Sequence, residues 1–218
     1  MGLVESKTFH SVFTIDHPVI NDRLARLRNK DTTSADFKKY LHEISLLMTY
    51  EVSNHLSESM AQIETPLETI DHKVLKNGDP VIVPILRAGL GLSDGVKDIL
   101  SASEIGHIGV YRDEKTKLPK EYLVRLPQGL DKKDIIVTDP MLATGNSLCH
   151  AIEILVQKGA DLDSISCMIL LAAPEGLEKV KSVYPSVRIY TAAIDRCLNE
   201  NAFIVPGLGD AGDRLFGT

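Results

Sequence analysis

Tryptophan is absent, and aromatic residues supply only 5% of the sequence. So little ring surface argues against the stacking platforms on which single-stranded nucleic acids lie. Basic residues do not dominate either: 24 Lys and Arg against 30 Asp and Glu give a formal net charge of −6. A surface of that sign repels a phosphate backbone, which excludes a non-specific DNA or RNA coat, whereas a small anion answers to the local field. The three cysteines, Cys149, Cys167 and Cys197, form no C-x-x-C pair. That spacing excludes a disulfide framework and a Cys-based zinc site, favours a reducing compartment, and leaves all three as small core residues. No apolar run approaches the ~20 residues of a membrane helix. No long apolar run follows Lys7, so a secretory signal is not expected and the cytoplasm is the expected location. Met1-Gly2-Leu3-Val4-Glu5-Ser6 fits the loose myristoylation pattern, but without a polybasic partner it reads as a chance match.

What is present is enough for a core: 218 residues, 44% hydrophobic and 25% charged, the size of one generous domain. The first third, residues 1–75, reads as mainly helical. Tyr40, Leu41, Ile44, Leu47, Met48 and Val52 recur near a 3.6 period, with Ser34 and Asp36 as capping candidates, and a shorter stripe of Ile20, Leu24 and Leu27 follows His17-Pro18. From Val81 onward, short β-branched runs alternate with helical stretches: 81–86, 108–111, 135–138, 167–173 and 187–193. Runs that are apolar on both faces predict an α/β fold, a mostly parallel open sheet with helices on both faces. One connection breaks the alternation. Strand-like residues 108–111 and 122–124 flank a charged stretch too short for a packed helix, which predicts a projecting β-hairpin flap over 108–125. There is no repeat or Pro/Gly-rich linker, so a single domain over 1–218 is expected.

In open parallel sheets ligands gather beyond the carboxyl ends of strands. The run Ile135-Ile136-Val137-Thr138-Asp139-Pro140-Met141-Leu142-Ala143-Thr144-Gly145-Asn146-Ser147 carries a buried strand into an acid, then into a small-residue turn before an amphipathic helix. Such a turn aims N–H groups, hydroxyls and a positive helix end at one point, which suits a phosphate monoester. Asp139 is placed to accept from ribose hydroxyls. The same text also fits an ordinary strand-to-helix turn capped by Thr144 or Ser147. Asn146 tolerates the positive φ that would let the loop close. A second loop, Arg87-Ala88-Gly89-Leu90-Gly91-Leu92-Ser93-Asp94-Gly95, mimics a dinucleotide fingerprint, but its third glycine is one residue late and no acidic ribose partner follows. Arg87 at a strand end has the planar donor fork for a diphosphate, or forms a surface ion pair. Arg112, on the flap, either closes over a ligand or is solvated. The segment Phe203-Ile204-Val205-Pro206-Gly207-Leu208-Gly209-Asp210-Ala211-Gly212-Asp213-Arg214 has glycines that let backbone approach a flat ligand and read its hydrogen-bonding edge, or else it is a tail turn.

The 139–147 loop resembles the phosphoribosyl-diphosphate (PRPP) loop of type I phosphoribosyltransferases, and most closely that of the uracil phosphoribosyltransferase family. Pro140 stands where many relatives have a second acid, a departure the uracil enzymes share. Residues 84–92, Tyr111-Arg112-Asp113-Glu114, His17-Pro18-Val19-Ile20, Glu64-Thr65-Pro66-Leu67, Ala172-Ala173-Pro174-Glu175-Gly176 and Phe216-Gly217-Thr218 are also similar to family text, so the likeness covers nearly the whole chain. It implies transfer of a phosphoribosyl group from PRPP to N1 of uracil, giving UMP and diphosphate. PRPP contacts are implied for Arg87, Arg112, Asp139, Pro140, Met141, Leu142, Ala143, Thr144, Gly145, Asn146, Ser147 and Asp210. Uracil contacts are implied for Ile204, Gly209, Asp210 and Ala211 in a base-binding loop over 203–218. Asp210 and Arg112 are the expected catalytic residues, with Asp210 either helping N1 lose its proton or only orienting a substrate or a metal-bound water. Mg²⁺ is expected to be held through PRPP and water rather than by direct protein ligands. The family forms homodimers or larger homo-oligomers, some controlled by GTP. No nucleic-acid or membrane partner is expected. A purine phosphoribosyltransferase, an RNA-binding regulator on the same fold and a nucleotide sensor without turnover are the alternatives.

Overall fold

The computed structural model describes residues 2–112 and 119–218. Among them, β1 (Gly2–Glu5), β2 (Val12–Asp16), β5 (Val81–Leu86), β6 (His107–Arg112), β7 (Pro119–Arg125), β8 (Ile135–Leu142), β9 (Ile165–Ala172) and β10 (Arg188–Ile194) form one sheet in the order β1-β2-β10-β9-β8-β5-β6-β7. Every pairing from β2 to β6 is parallel, and the two outer pairings, β1 with β2 and β6 with β7, are antiparallel. The expected α/β architecture is therefore present, closed at each edge by a hairpin-like pair.

The pleat explains how one set of strands serves two cores. Ile82, Ile136, Met168, Leu170 and Tyr190 face one core with α1 (Pro18–Arg28), α2 (Ser34–Ser53), α3 (Leu90–Ile99) and α6 (Ala211–Phe216). Their neighbours Val81, Val83, Ile135, Val137, Cys167 and Ile169 face the other, with α4 (Asn146–Gln157) and α5 (Pro174–Val183). Alternation along a strand buried on both sides produces this division. On α2, Phe37, Leu41, Ile44, Met48 and Val52 are buried at helical spacing. Its N-cap is Thr33 rather than Ser34: the Thr33 hydroxyl accepts from the Asp36 N–H at 3.1 Å and donates to the Asp36 carboxylate at 2.9 Å. The glycines that mimic a dinucleotide fingerprint serve helix packing instead. A Cβ on Gly91 would lie 2.5 Å from Leu41, and one on Gly95 would lie 2.7 Å from Ser45, so α2 and α3 approach closely only without them.

Several expectations change. The N-terminal portion is helical only in α1 and α2; it also supplies β1 and β2 to the sheet and a separate hairpin of β3 (Glu58–Glu64) and β4 (Thr69–Leu75). That hairpin carries Glu58, Gln62, Glu64, His72 and Lys73 among its apolar residues, so no clean alternation marked it in the text. Strand β8 does not end at Thr138: its ladder with β9 runs on to Leu142, while the ladder with β5 stops at Thr138. Pro140, lacking an N–H, sits where one side of β8 is already free. The C-terminal segment is not only a loop, since it folds into β12 (Ile204–Val205), paired with β11 (Cys197–Leu198), and then α6. Cys167 is buried as expected, but Cys149 and Cys197 are only partly so.

The order of strands matters for function. After β5 the chain moves outward to β6 and β7, then returns to place β8 on the other side of β5 and continues to β9 and β10. The carboxyl ends of β5 and β8 therefore mark the point where the sheet reverses direction, the crevice in which open α/β sheets bind ligands.

Candidate active site

A cavity of ≈ 310 Å³ opens at that crevice. Its walls are Ala88 after β5, Asp139, Met141, Ala143 and Thr144 from the end of β8, and residues 201–204 and 209–212 from the C-terminal segment. A smaller cavity of ≈ 90 Å³ shares Asp139, Met141, Ala143 and Thr144 and adds Leu142, Gly145, Ser147 and Leu148. Together they bring the expected phosphate loop and the expected base loop onto one wall. Pro140 and Asn146 line neither.

At the start of α4, Gly145 has φ 79° and stands as the N-cap with no side chain capping the helix. Thr144 and Ser147 thus leave the first N–H groups of α4 to other acceptors, which removes the ordinary capped-turn reading. The positive φ falls on Gly145, not on Asn146, which is already the first helical residue. A Cβ on Gly145 would also lie 2.8 Å from the Gly176 carbonyl, so the loop is pressed against the start of α5. The Asp139 carboxylate accepts from the Met141 N–H at 3.3 Å. Burial nevertheless pushes its pKa up to about 7, with the Met141 N–H as the opposing influence. An acid held in this way ionises readily once donors arrive beside it.

On the C-terminal wall, Gly207 has φ 58°, and a Cβ there would lie 2.1 Å from the Ile204 carbonyl. The turn folds back on Ile204 as only glycine allows. The 199–203 connection is held by Asn199, whose side-chain oxygen accepts from the N–H groups of Asn201 and Phe203 at 3.0 and 2.9 Å. Glu175, at the start of α5, accepts from the Leu198 N–H at 2.9 Å. One helix end therefore supports both loops. Asp210 is the N-cap of α6, its Oδ1 accepting from the Asp213 N–H at 3.0 Å.

Arg87 does not line either cavity. Its guanidinium lies 5.3 Å from the centre of the Phe216 ring, one residue along from Ala88, which does line the larger one. Its neighbour loop is pinned to β8 by the buried Thr138 hydroxyl, which donates to the Gly89 carbonyl at 3.0 Å. Arg112 ends β6, but its side chain and residues 113–118 of the flap lie outside the described residues, so the expected catalytic contact of Arg112 falls there too. Three residues of structural weight around the site were missed: Arg28, Asp195 and Arg214. Arg214 reaches from α6 to the carbonyls of Leu27, Leu208 and Asn29, and its guanidinium sits 4.7 Å from the centre of the Phe37 ring. Asp195 had a signal, an acid directly after a buried β-branched strand, the pattern that flagged Asp139. Arg28 and Arg214 had none.

A family model described as uracil phosphoribosyltransferase matches residues 14–218. The chain belongs to the uracil phosphoribosyltransferase family. A relative of that name from Dictyoglomus thermophilum is 50% identical, covering 95% of this chain and 99% of its own. Another from Paraburkholderia phymatum is 45% identical over 99% of both. The solved structure of an Aquifex aeolicus protein superposes with a TM-score of 0.88 at 31% identity, over 95% of this chain and 98% of that one. The adenine phosphoribosyltransferase of Trypanosoma brucei has the same fold, with a TM-score of 0.62 at 12% identity over 96% and 92% of the two chains.

Proposed function

We propose that this member of the uracil phosphoribosyltransferase family transfers the phosphoribosyl group of PRPP to N1 of uracil, forming UMP and diphosphate. The observation that carries the reading, beside membership of the family, is the union of two cavities along the end of β8. The smaller lies at an uncapped helix N-terminus and suits a 5′-phosphate. The larger is walled by Ala88, Ala202, Ile204, Gly209, Ala211 and Gly212, small or apolar residues that bring backbone close to a flat ring. Between them Asp139 receives the ribose hydroxyls.

In the transfer, the C1′–O bond to diphosphate breaks as the C1′–N1 bond forms, and the N1 proton leaves. Little of this needs a covalent intermediate; it needs a stabilised leaving group and a nucleophile held in line. Ile204, Gly209, Asp210 and Ala211 orient uracil. Asp210 is the acceptor for the N1 proton: one carboxylate oxygen is spent on the α6 cap, and the residue lines the cavity. Arg87 and Arg112 bind the diphosphate. Among the described residues no three His, Cys, Asp or Glu side chains gather as a metal cage. That lining fits an Mg²⁺ ion that would be held through PRPP oxygens and its own waters, with no direct protein ligand. When bound, Mg²⁺ neutralises charge on the leaving diphosphate.

The β3–β4 hairpin supports a homo-oligomer. Among the described residues it pairs only with itself, and it exposes Met60 by 63% and Leu67 by 96%. A lone two-stranded ribbon is marginal in water, so a second copy of the chain covers it. No helix is long and apolar enough to cross a membrane; the assignment to the cytoplasm rests on the uracil-salvage reading. The deciding experiment supplies purified protein with Mg²⁺, PRPP and labelled uracil. UMP and diphosphate should form, with no nucleotide from hypoxanthine or adenine. Absence of UMP overturns the reading. Adding GTP to the same assay, with the solution mass measured alongside, tests the expected nucleotide control and the assembly.

A further inference from the structure

Behind the base-binding turn lies an ion pair that the reaction itself does not use. Arg28, the last residue of α1, donates through Nη2 to Asp195 Oδ1 at 2.6 Å and through Nη1 to Asp195 Oδ2 at 2.7 Å. The pair joins positions 167 residues apart, and the Asp195 side chain is only 5% exposed. Both partners then grip the same residue, Gly207, through the two peptide groups that flank its Cα. Arg28 Nη1 donates to the Gly207 carbonyl at 2.8 Å, and the Gly207 N–H donates to Asp195 Oδ2 at 2.9 Å. Neither side chain lines the main cavity.

A buried ion pair is a weak source of stability, because desolvation of both charges offsets their attraction. What a planar fork facing a planar carboxylate supplies is direction. Here the fork and the carboxylate hold Gly207 by its donor and its acceptor at once. Gly207 sits between Ile204 and Gly209, both of which line the cavity, and its φ of 58° sets how the chain folds back on Ile204. The angle between those two wall segments is therefore fixed from outside the cavity.

We propose that Arg28 and Asp195 are positioning residues for base recognition, acting through the backbone N–H and carbonyl of Gly207 on the segment that holds the pyrimidine. The proposal rests on the reading of residues 204–211 as the uracil wall. Its consequence is selective: loss of the pair loosens the uracil side and leaves the phosphate loop, built on β8 and α4, as it was. A residue that served only folding would lower the amount of active enzyme without separating the two substrates.

The test compares wild type with Arg28→Lys and Asp195→Asn, each close in size to the original. Steady-state kinetics are measured with uracil and PRPP varied separately, and thermal unfolding is followed in parallel. Both variants should unfold cooperatively and raise the KM for uracil ~tenfold or more, the size of one lost charge-assisted hydrogen bond. The KM for PRPP should change much less, within ~twofold, since the 139–147 loop that holds its 5′-phosphate keeps every contact. If folded variants keep the wild-type KM for uracil, or if both KM values rise together, the positioning role is overturned. If neither variant folds, the pair is merely structural and the proposal fails as well. A wild-type enzyme that makes no UMP would instead overturn the uracil reading, which keeps the two failures apart.

Discussion

The proposed phosphate side of the cavity is one run of chain, from Asp139 to Leu148, in which a strand end, a glycine turn and a helix start follow in order. The base side is gathered from far-apart places: Ala88 from the β5–α3 loop, residues 201–212 near the C-terminus, and behind them Arg28 and Asp195. The first needs local backbone geometry and the field of a helix end, which any short segment can provide. The second needs long-range packing to bring its parts together and buried hydrogen bonds to hold them. A damaging change on the phosphate side should therefore act where it is made, whereas the base side should respond to changes made well outside the cavity.

The sharpest way to probe this contrast is Asp210→Asn. Asn caps a helix as well as Asp, so α6 should survive with little change in Tm, while kcat falls by ~100-fold or more if the carboxylate takes the N1 proton. Near-normal turnover would leave Asp210 as a cap alone. Next comes Gly145→Ala, which places a Cβ against the Gly176 carbonyl in a left-handed residue. Strain of that kind costs ~1–3 kcal/mol. The KM for PRPP should rise ~tenfold, with the KM for uracil unmoved. Equal changes in both would blur the division between the two sides.

Asp139 offers a test by pH. Burial raises its pKa in the folded protein from the ordinary carboxylate value of 3.8 to about 7, so between these the folded chain holds a proton that the unfolded chain has lost. Stability from this group is thus greatest at low pH and declines as pH rises towards 7. Asp139→Asn should raise Tm by a few degrees at pH 8, with the gain shrinking towards pH 4. Donors from the ribose favour the ionised form, so PRPP binding near pH 6.5 should release protons, read as a buffer-dependent heat in calorimetry. The smallest effect is expected from Phe216→Leu. Removing the ring beneath Arg87 forfeits ~0.5–1 kcal/mol, so the KM for PRPP should rise two- to five-fold and return with Phe216→Tyr.

Legibility followed the same division. The strand-acid-turn-helix text of 135–147 exposed the proposed phosphate loop because each of its requirements is local: a short run apolar on both faces, a residue free to take positive φ, then a period of 3.6. Even there the details moved, with β8 running on to Leu142 and the positive φ resting on Gly145. Interaction with β9 extends the strand past the acid, a choice made by the neighbour rather than by β8 itself. The hairpin of β3 and β4 was hidden by its mixed polarity, and α6 by the glycines that precede it.

The amino-acid order alone thus determined the α/β class, the parallel core and the glycine turn that opens α4, since hydrophobic patterning and glycine placement act within a few residues. Its acidic total and scarcity of rings described the surface and left the ligand to the loops. Only the tertiary structure decided that Arg28 meets Asp195 across Gly207, that Arg87 rests on Phe216, and that Gly91 and Gly95 serve packing rather than a nucleotide. Those contacts join residues remote in the chain, and the hydrogen bonds and steric limits that select them exist only once the two cores have closed on the sheet.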